Sequence, residues 1–439
     1  MSSTVTPTAW WRWLFTQGVP RFVLRGQARR GDPFARLIAG AEGIDDPYSL
    51  IEGLRGDSPL IRTPLTWTSF DHELVRSILR DNRFGVQSPQ HFLPFTAARA
   101  LMPRSPLPPS PVEPPSMLVI DPPEHTTMRK PVAAAFTPRA VSRLRDRVAE
   151  VTAELLERLP ADGSADLVAE YSSQVPIAII SEMLGFPYAD RDMFLEWGDL
   201  MSPLLDLGIS WRVQRRANEA MHRMNDYLDD HIATLRREPG EDILSSLVTA
   251  GELDHDALKA TASLLMGAGF ETTVNLISNG VVQLLAHPEQ LARLREEPEL
   301  WPNAVEEILR FDPPVQITGR VALTELELAG VPLRPGQAVT VSLAGANRDP
   351  KVFDDPQRFD IARPNAKEHL SFSSGIHVCL GASLARMEGV YALRALFERF
   401  PGLSLAAPPR RRELFTLHGF RQLPVRLGTR APAGQSALA

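Results

Sequence analysis

The sequence of 439 residues predicts a mainly α-helical fold with small β-sheets, that is, an α+β fold class. Apolar residues recur at helical spacing over most of the chain that follows residue 115. Strand-like runs are fewer: Thr324–Val331 and Gln337–Leu343 are short, apolar and separated by Pro332 and by Pro335–Gly336. We therefore expect helices to form the body of the protein and the strands to form small sheets beside it.

One domain is expected, because neither an internal repeat nor a linker rich in glycine and serine divides the chain. We assign residues 1–439 to it, with an N-terminal extension over 1–30 and a flexible tail over 428–439. The net charge of −6 argues against a general attraction to nucleic acid. The single cysteine, Cys379, excludes an intrachain disulfide and a zinc site built from several thiolates. These features are typical of a cytoplasmic protein.

The N-terminus carries the aromatic cluster Trp10, Trp11, Trp13 and Phe15, which Arg12 interrupts. The apolar run is far shorter than the roughly 20 residues that a membrane-spanning helix needs, so no membrane span is expected. It also lacks the apolar core of a signal peptide. The cluster is either a weak contact with a membrane or a partner, or a segment whose tryptophans pack on the body of the protein. We favour the packed segment.

The stretch from Pro89 to Pro115 holds nine prolines in 27 residues, which excludes a regular helix or a central strand. We expect a long, semi-rigid loop that is either a lid or binding surface, or a passive connector. Three segments after it have the apolar spacing of helices, namely Ala140–Leu159, Gln174–Leu184 and Ala217–Leu235.

The longest predicted helix begins after Asp254, a plausible N-cap, and ends near His287, because Pro288 follows. At about 1.5 Å per residue it would span roughly 50 Å, enough to cross the whole domain. Its centre, Met266–Thr273, contains two glycines and two threonines, which are costly for a helix and indicate a functional requirement. Glu271 in this apolar stretch is either a functional acid or a side chain that reaches solvent from a kinked core helix.

The only cysteine lies in Phe372–Gly381, directly before the helical pattern of Ala382–Phe397. A thiolate there would meet the positive end of the helix and accept backbone N–H groups, which lowers its pKa. Gly375 and Gly381 give the backbone freedom to wrap a flat group closely. Taken alone, the cysteine would be a buried apolar residue or the nucleophile of a hydrolase with a histidine partner.

This decapeptide has every fixed position of the signature Phe-x-x-Gly-x-His/Arg-x-Cys-x-Gly, and by it the chain is identified as a member of the cytochrome P450 superfamily. The resemblance implies that Cys379 is the axial thiolate ligand of the iron of haem b, which is the only metal expected. It also implies that Phe372 packs beside the thiolate and that His377 reaches a haem propionate. Gly381 and Ala268 are implied as further contacts of the cofactor.

A second motif, Ala268-Gly-Phe-Glu-Thr272, resembles the oxygen-activation motif of the family. Reduction of dioxygen needs a hydroxyl that hydrogen-bonds it and an acid that relays protons. The resemblance therefore implies that Thr272 and Glu271 are catalytic. Relatives that isomerise peroxides or use hydrogen peroxide often lack this pair, so its presence favours a dioxygen-dependent monooxygenase.

Two further motifs complete the resemblance. Glu307-Ile-Leu-Arg310 places an acid and a base three residues apart on one helix face and resembles the structural Glu-x-x-Arg element of the family. Arg348, Arg358 or Arg363 is expected to complete its network.

Haem propionates need cationic partners, because an unpaired buried carboxylate costs several kcal/mol. His125 and Arg129 resemble the His-x-x-x-Arg pair that grips a propionate, and Arg320 matches a third contact.

The resemblance runs from about Asp32 to Leu427 and indicates a soluble bacterial form, similar to actinobacterial and mycobacterial members. It implies one cytochrome P450 fold with the haem buried between the long central helix and the cysteine loop. The implied substrate is a hydrophobic small molecule, and a ferredoxin reduced by a flavoprotein with NADH or NADPH supplies electrons. The expected pocket consists of Phe92, Leu93, Phe95, Leu265, Ala268, Gly269, Val315, Ile317, Phe415 and Leu417.

The predicted function is thus a haem-thiolate monooxygenase that inserts one oxygen atom from O2 into an apolar substrate. A peroxygenase driven by hydrogen peroxide, a haem-binding protein without catalysis and a cysteine hydrolase are the alternatives. The hydrolase needs a working dyad of Cys379 and His377, and a separation of two residues in the sequence does not provide one.

Overall fold

The computed structural model describes residues 7–39, 46–56, 58–86, 109–161 and 163–432. The α-helices, in chain order, are α1 Pro7–Trp13, α2 Val19–Arg29, α3 Pro33–Ala39, α4 Pro47–Leu54, α5 His72–Arg80, α6 Glu124–Ala133, α7 Pro138–Ser142, α8 Arg145–Arg158, α9 Gln174–Met183, α10 Arg191–Met201, α11 Trp211–Arg237, α12 Ile243–Ala250, α13 His255–Ala286, α14 Pro288–Glu296, α15 Trp301–Phe311, α16 Leu343–Ala346 and α17 Ala382–Arg399. The strands are β1 Ile61–Arg62, β2 Trp67–Ser69, β3 Phe84–Val86, β4 Ser164–Asp166, β5 Ile317–Ala322, β6 Leu326–Leu328, β7 Val331–Leu333, β8 Ala338–Ser342, β9 Ser404–Leu405, β10 Arg410–Arg411, β11 Phe420–Gln422 and β12 Pro424–Arg426. The predicted class, mainly helical with small sheets, is confirmed.

The predicted helices are present with small differences at their ends. The segment Ala140–Leu159 is divided between α7 and α8, because the chain turns at Arg143 and Leu144. In the predicted strand region, Pro332 lies inside β7 and does not separate two strands. It pairs with Glu327 across a two-stranded hairpin, where the missing N–H of a proline is tolerated at the sheet edge.

The long helix α13 begins and ends where the sequence predicts. The carboxylate of Asp254 accepts the N–H of Ala257 at 2.8 Å and so caps the first turn. The helix is buried on nearly every side and packs against α9 and α17. A Cβ at Gly269 would lie 2.9 Å from the Ile180 side chain of α9, so this glycine allows the two helices to approach.

The largest sheet flanks one side of the core and has the strand order β1-β2-β8-β5-β3. Strand β8 runs parallel to β2 and antiparallel to β5, and the register pairs Arg320 with Val339. A three-stranded sheet β4-β12-β9 and two strand pairs, β6-β7 and β10-β11, lie elsewhere. Strand β5 carries Ile317 and Arg320 toward the centre of the molecule, where the site lies.

A buried ion-pair network joins α15 to the loop that follows α16. The Arg310 guanidinium donates Nε to Glu307 Oε2 at 2.7 Å and Nη2 to Oε1 at 2.8 Å, and both side chains are fully buried. Arg363 adds a third contact, from Nε to Glu307 Oε1 at 3.2 Å. The arginine beside Glu307 is therefore Arg363, whereas Arg348 donates to the carbonyl of Phe311 and not to this acid.

Both ends of the described chain are held by side-chain contacts. Near the N-terminus, Trp13 Nε1 donates to the carbonyl of Ile209 at 3.0 Å. Near the C-terminus, Arg430 forms an ion pair of 2.9 Å with Glu157. The segment predicted as a flexible tail over 428–439 thus begins with anchored residues, and 433–439 lie outside the described part. Among the described helices, none combines the length and the apolar character that crossing a bilayer requires.

Candidate active site

The long helix and the loop that precedes α17 enclose a cavity of about 540 Å³. Its lining is largely apolar, with contributions from α9, α10, α13, β5 and the segment around Leu417. Cys379 on the loop and Ala268, Glu271 and Thr272 on the long helix all line this cavity. The two strongest sequence motifs therefore face the same space.

The cysteine loop is held by backbone contacts. The Cys379 N–H donates to the carbonyl of Phe372 at 2.9 Å, and α17 begins three residues after the cysteine. Gly375 has a φ of +72°, and a Cβ there would lie 2.3 Å from the carbonyl oxygen of Leu79. This glycine is therefore required by contact with the end of α5, whereas the sequence suggested that it makes room for a flat group. Gly381 does border the cavity, and a Cβ there would meet open space.

The electrostatics of Cys379 differ from the sequence prediction. The backbone N–H of Gly381 hydrogen-bonds the thiol, and together with Arg129 and Arg386 it acts to lower the pKa, as expected. Burial acts in the opposite direction and is the larger effect, so it raises the pKa of Cys379 above the usual thiol value. The surrounding protein alone thus favours the neutral thiol. Coordination to a metal ion removes the proton from such a thiol outright.

Four basic side chains gather at the rim of the cavity. The rings of His125 and His377 lie with their centroids 4.2 Å apart, and the buried Nε2 of each has no hydrogen-bond partner in the described part of the chain. Arg129 donates to the carbonyl of Val378 and also borders the cavity. Arg320 is 4% exposed and, among the described residues, no carboxylate lies within ion-pair distance of it.

Burial, and for His377 also the positive charge of its neighbours, lowers the pKa values of His377 and Arg320. Burial, followed by the charges of His125, Arg320 and Arg129, lowers the pKa of His377 to about 3. Burial lowers the pKa of Arg320 to about 10, and nearby Asp121 opposes the shift. Cations assembled without anionic partners are costly. The cluster therefore fits a ligand that carries carboxylates, and two orphaned imidazole nitrogens with two arginines suit the two propionates of haem.

Glu271 is buried and paired, so it does not reach solvent from a kinked helix. Its Oε2 accepts Nη1 of Arg412 at 2.5 Å, and Nη2 of Arg412 binds Asp199 at 2.8 Å. Burial raises the pKa of Glu271 despite the opposing charge of Arg412. The Thr272 hydroxyl beside it donates to the carbonyl of Ala268 at 2.8 Å, inside the cavity.

Sequence reasoning missed Arg412 and Asp199. Arg412 ends the run of arginines at 410–412, which was a visible signal of a charged segment. Its partner Glu271, however, lies 141 residues away, and no spacing rule connects them. Sequence reasoning also missed Glu388 on α17, which is 2% exposed and borders the cavity from the cysteine side.

Burial raises the pKa of Glu388 to about 8, and a hydrogen bond with Thr273 acts against the shift. The folded protein therefore keeps the proton that the unfolded chain loses near pH 4.5. Below pH 4.5 the titration of Glu388 leaves the free energy of unfolding unchanged. Between pH 4.5 and pH 8 it lowers that free energy by about 1.4 kcal/mol for each pH unit. We expect Glu388→Gln to escape this loss, so the difference in unfolding free energy between variant and wild type grows between pH 5 and pH 8.

The matched control is Glu327→Gln, since Glu327 is exposed on β6. Its unfolding free energy should follow that of the wild type at every pH. A difference between Glu388→Gln and wild type that is the same at pH 5 and pH 8 would show that Glu388 is ionised in the folded protein. Thermal or denaturant unfolding of the holoprotein at each pH supplies the measurement.

The predicted pocket residues that the structure describes all line the cavity. They are Leu265, Ala268, Gly269, Val315, Ile317, Phe415 and Leu417. Phe92, Leu93 and Phe95 lie outside the described residues. Further apolar lining that the sequence did not single out comes from Met117, Leu118, Val119, Ile180, Met201, Leu204, Leu205, Leu207 and Leu264. The pocket wall therefore draws on the segment 117–119 and on the segment 204–207 after α10 more than the sequence indicated.

A thiol, a cationic rim and an acid–alcohol pair around one apolar cavity are the features of a haem-thiolate protein. The family model of cytochrome P450 matches residues 110–420. The chain belongs to the cytochrome P450 family, whose cofactor is haem b, and it is a cytochrome P450 monooxygenase.

Relatives match over nearly the whole chain. A protein of Mycobacterium tuberculosis with the name "Putative cytochrome P450 140" is 46% identical over 95% of this chain and 97% of its own length. Vitamin D(3) 25-hydroxylase of Pseudonocardia autotrophica is 39% identical over 88% of this chain and 95% of its own length. The crystal structure of P450BioI, in complex with an acyl carrier protein ligated to hexadec-9Z-enoic acid, matches at a TM-score of 0.80 and 34% identity. The match covers 88% of this chain and 100% of the P450BioI chain.

Proposed function

We propose that this monooxygenase oxidises a hydrophobic small molecule in the cavity, with electrons from NADH or NADPH that a reductase and a ferredoxin deliver. The observation that supports the proposal is the shared cavity, whose lining includes Cys379, Glu271 and Thr272. Bound haem supplies the iron at which dioxygen is bound and reduced. This chain supplies the groups that hold the cofactor, position the substrate and move protons.

Cys379 would hold the haem iron through its thiolate, and Phe372 supports the loop that carries Cys379. The Phe372 carbonyl accepts the Cys379 N–H, and Arg386 lies with its guanidinium carbon 4.4 Å from the centre of the Phe372 ring. Arg386 is in turn fixed to Glu306 at 2.7 Å. This chain of contacts holds the cysteine loop in position while the Gly381 N–H donates to the sulfur.

The rim cluster is assigned to the propionates. Arg129 and Arg320 supply permanent charge, and His125 and His377 supply imidazole N–H groups. A carboxylate among them would raise the lowered pKa of His377, because opposite charge favours the protonated imidazole. Cofactor binding and the charge of the rim are therefore coupled.

Proton delivery is assigned to a path that begins at Asp199, whose side chain is 49% exposed. Arg412 joins Asp199 to Glu271, and Glu271 precedes Thr272 on the cavity side of α13. Proton transfer through Glu271 requires that its contact with Arg412 loosen, because a carboxylate held by a guanidinium is a poor proton carrier. Arg412 thus positions the acid and limits when it takes a proton, and the Thr272 hydroxyl hands the proton to the site.

An apolar substrate is supported by the lining of the cavity, where aliphatic and aromatic side chains predominate. The relative named for vitamin D(3) and the neighbour with a C16 acyl chain point to large lipophilic molecules. Titration with steroid, terpenoid, fatty-acid and polyketide compounds, read by the shift of the Soret band, identifies the class that enters.

The surface over the cysteine loop supports the proposal that a ferredoxin is the electron donor. Helix α5 contacts the 375–377 turn and exposes Arg76 and Arg80, and Ile376 is 39% exposed beside them. A basic surface with an apolar centre suits a small acidic electron carrier. Docking there would bring an electron donor close to the axial ligand.

The test is a reconstituted reaction with a ligand from the titration. We expect consumption of NADH and O2 and formation of product only when ferredoxin and reductase are both present. Equal product formation with hydrogen peroxide alone, unaffected by ferredoxin, would identify a peroxygenase. Binding of haem without any product under either condition would identify a non-catalytic haem protein.

A further inference from the structure

The N-terminal helix exposes a continuous apolar stripe to solvent. Helices α1 and α2 are joined by a π-helical turn, Leu14–Gly18, so that 7–29 form one continuous rod. Trp11 is 50% exposed, Phe15 41%, Val19 46% and Phe22 81%. The spacings of four, four and three residues place these side chains on one face. Scattered exposed apolar residues are ordinary, but an aligned stripe of this kind indicates a binding surface.

The opposite face of the same rod is fixed to the protein. Gln17 Oε1 accepts the N–H of Gly208 at 2.5 Å, and its Nε2 donates to the carbonyl of Asp206 at 3.4 Å. The Trp13 ring packs against the Trp211 ring in a tilted arrangement, with centroids 5.7 Å apart. The expectation that the tryptophans pack on the body therefore holds for Trp13 and fails for Trp11. The stripe is presented by an anchored helix and not by a frayed end.

Arginine side chains lie beside the apolar stripe. Residues 1–30 contain five arginines and no acidic residue, although the whole chain has a net charge of −6. Arg12 is paired with Glu113 at 2.8 Å. Arg25 and Arg29 follow Phe22 at spacings of three and four residues on the same face, are exposed, and have no ion pair within the described ranges. The surface thus combines an aromatic stripe with cations that extend it.

We propose that this rod is a docking surface for an anionic phospholipid membrane, with its apolar stripe inserted at the level of the headgroups. Aromatic and aliphatic side chains on one face with arginines beside them are the composition of helices that lie in the membrane interface. Each arginine near an anionic surface adds about 1 kcal/mol of attraction. A second copy of the chain is a poorer occupant, because two arginine-rich faces would repel each other.

Only the N-terminal rod itself separates the apolar stripe from the cavity, because the inner face of the rod lines the cavity. Gln17, on the inner side of the rod, lines the cavity together with Leu205 and Leu207, and Gln17 bonds the segment between them. A membrane under the rod would therefore place its lipophilic solutes beside this wall of the cavity. This last consequence rests on the proposed function, whereas membrane docking itself does not.

Cosedimentation of the holoprotein with vesicles tests the proposal without turnover. We expect binding to phosphatidylglycerol vesicles at low salt and weak binding to phosphatidylcholine vesicles. The triple variant Trp11→Ser/Phe15→Ser/Phe22→Ser should bind phosphatidylglycerol vesicles about tenfold more weakly or worse, because the inserted apolar area is lost. The matched control Tyr188→Ser/Leu323→Ser/Leu405→Ser changes three exposed apolar residues elsewhere and should bind as the wild type does.

The arginines are tested separately. Arg25→Gln/Arg29→Gln should weaken binding to anionic vesicles about 30-fold and leave the residual binding to neutral vesicles unchanged. Its control, Arg334→Gln/Arg426→Gln, removes two exposed arginines from other surfaces. Absence of wild-type binding, or equal binding by the aromatic triple variant, would overturn the proposal. Self-association of the wild type that the triple variant abolishes would overturn it in favour of a second copy, and an unchanged haem spectrum in all variants shows that they fold.

Discussion

Replacing Glu307 by glutamine is expected to lower the free energy of unfolding by about 3–5 kcal/mol and to abolish stable haem incorporation. Glu307 is fully buried and compensates two guanidinium groups, those of Arg310 and Arg363. The glutamine keeps the shape of the side chain but removes its charge, so both arginines are left buried without an anion. Loss of one partner of a buried pair is costly for this reason, even where the intact pair adds little stability.

The measurement is denaturant unfolding of the purified variant together with its ratio of haem to protein. Glu297→Gln is the matched control, since Glu297 forms an i,i+4 pair with Arg293 at 2.8 Å but both side chains are about 40% exposed. We expect the control to lose less than about 0.5 kcal/mol. Equal losses in the two variants would mean that the network around Glu307 does not hold the core together.

Glu271→Gln is expected to slow product formation about 100-fold, while the haem spectrum and substrate binding stay intact. The glutamine preserves the size of the side chain and a hydrogen bond with Arg412, but it carries no transferable proton. Oxygen should still be consumed, and the uncoupled fraction released as hydrogen peroxide should rise. A larger solvent deuterium isotope effect on product formation is expected as well, because proton delivery becomes the slow step.

The control for this variant is Asp256→Asn, which removes a carboxylate from the exposed first turn of the same helix. It should keep the wild-type rate and coupling. A Glu271→Gln enzyme with the wild-type rate, coupling and isotope effect would remove Glu271 from the proton path. Arg412→Met offers a further check, because release of Glu271 from its guanidinium should change the pH profile and not the substrate affinity.

The sequence was sufficient where a feature depends on neighbouring residues. The Asp254 cap, the helix end at His287 and the position of Cys379 just before α17 follow from local rules, and each has its predicted place. Contacts between segments that are distant in the sequence do not follow from local rules. Nothing local shows that Arg363 and not Arg348 meets Glu307, or that Arg412 meets Glu271.

Two interpretations were incomplete because packing adds effects that local reasoning does not include. The Gly381 N–H does lower the pKa of Cys379, but burial, which no sequence window reveals, raises it by more. The freedom of Gly375 was ascribed to a flat ligand, whereas the close carbonyl of Leu79 requires it. Glu388 was overlooked because its burial depends on how α17 packs against α13.

The central claim is that Cys379 is the thiolate ligand of a haem iron in this cavity. The carbon monoxide difference spectrum of the dithionite-reduced holoprotein tests it most directly. We expect the strongly red-shifted Soret band of thiolate-ligated haem in the wild type and its absence in Cys379→Ser. An unshifted Soret band in the wild type, or a purified protein without haem colour, would contradict the claim.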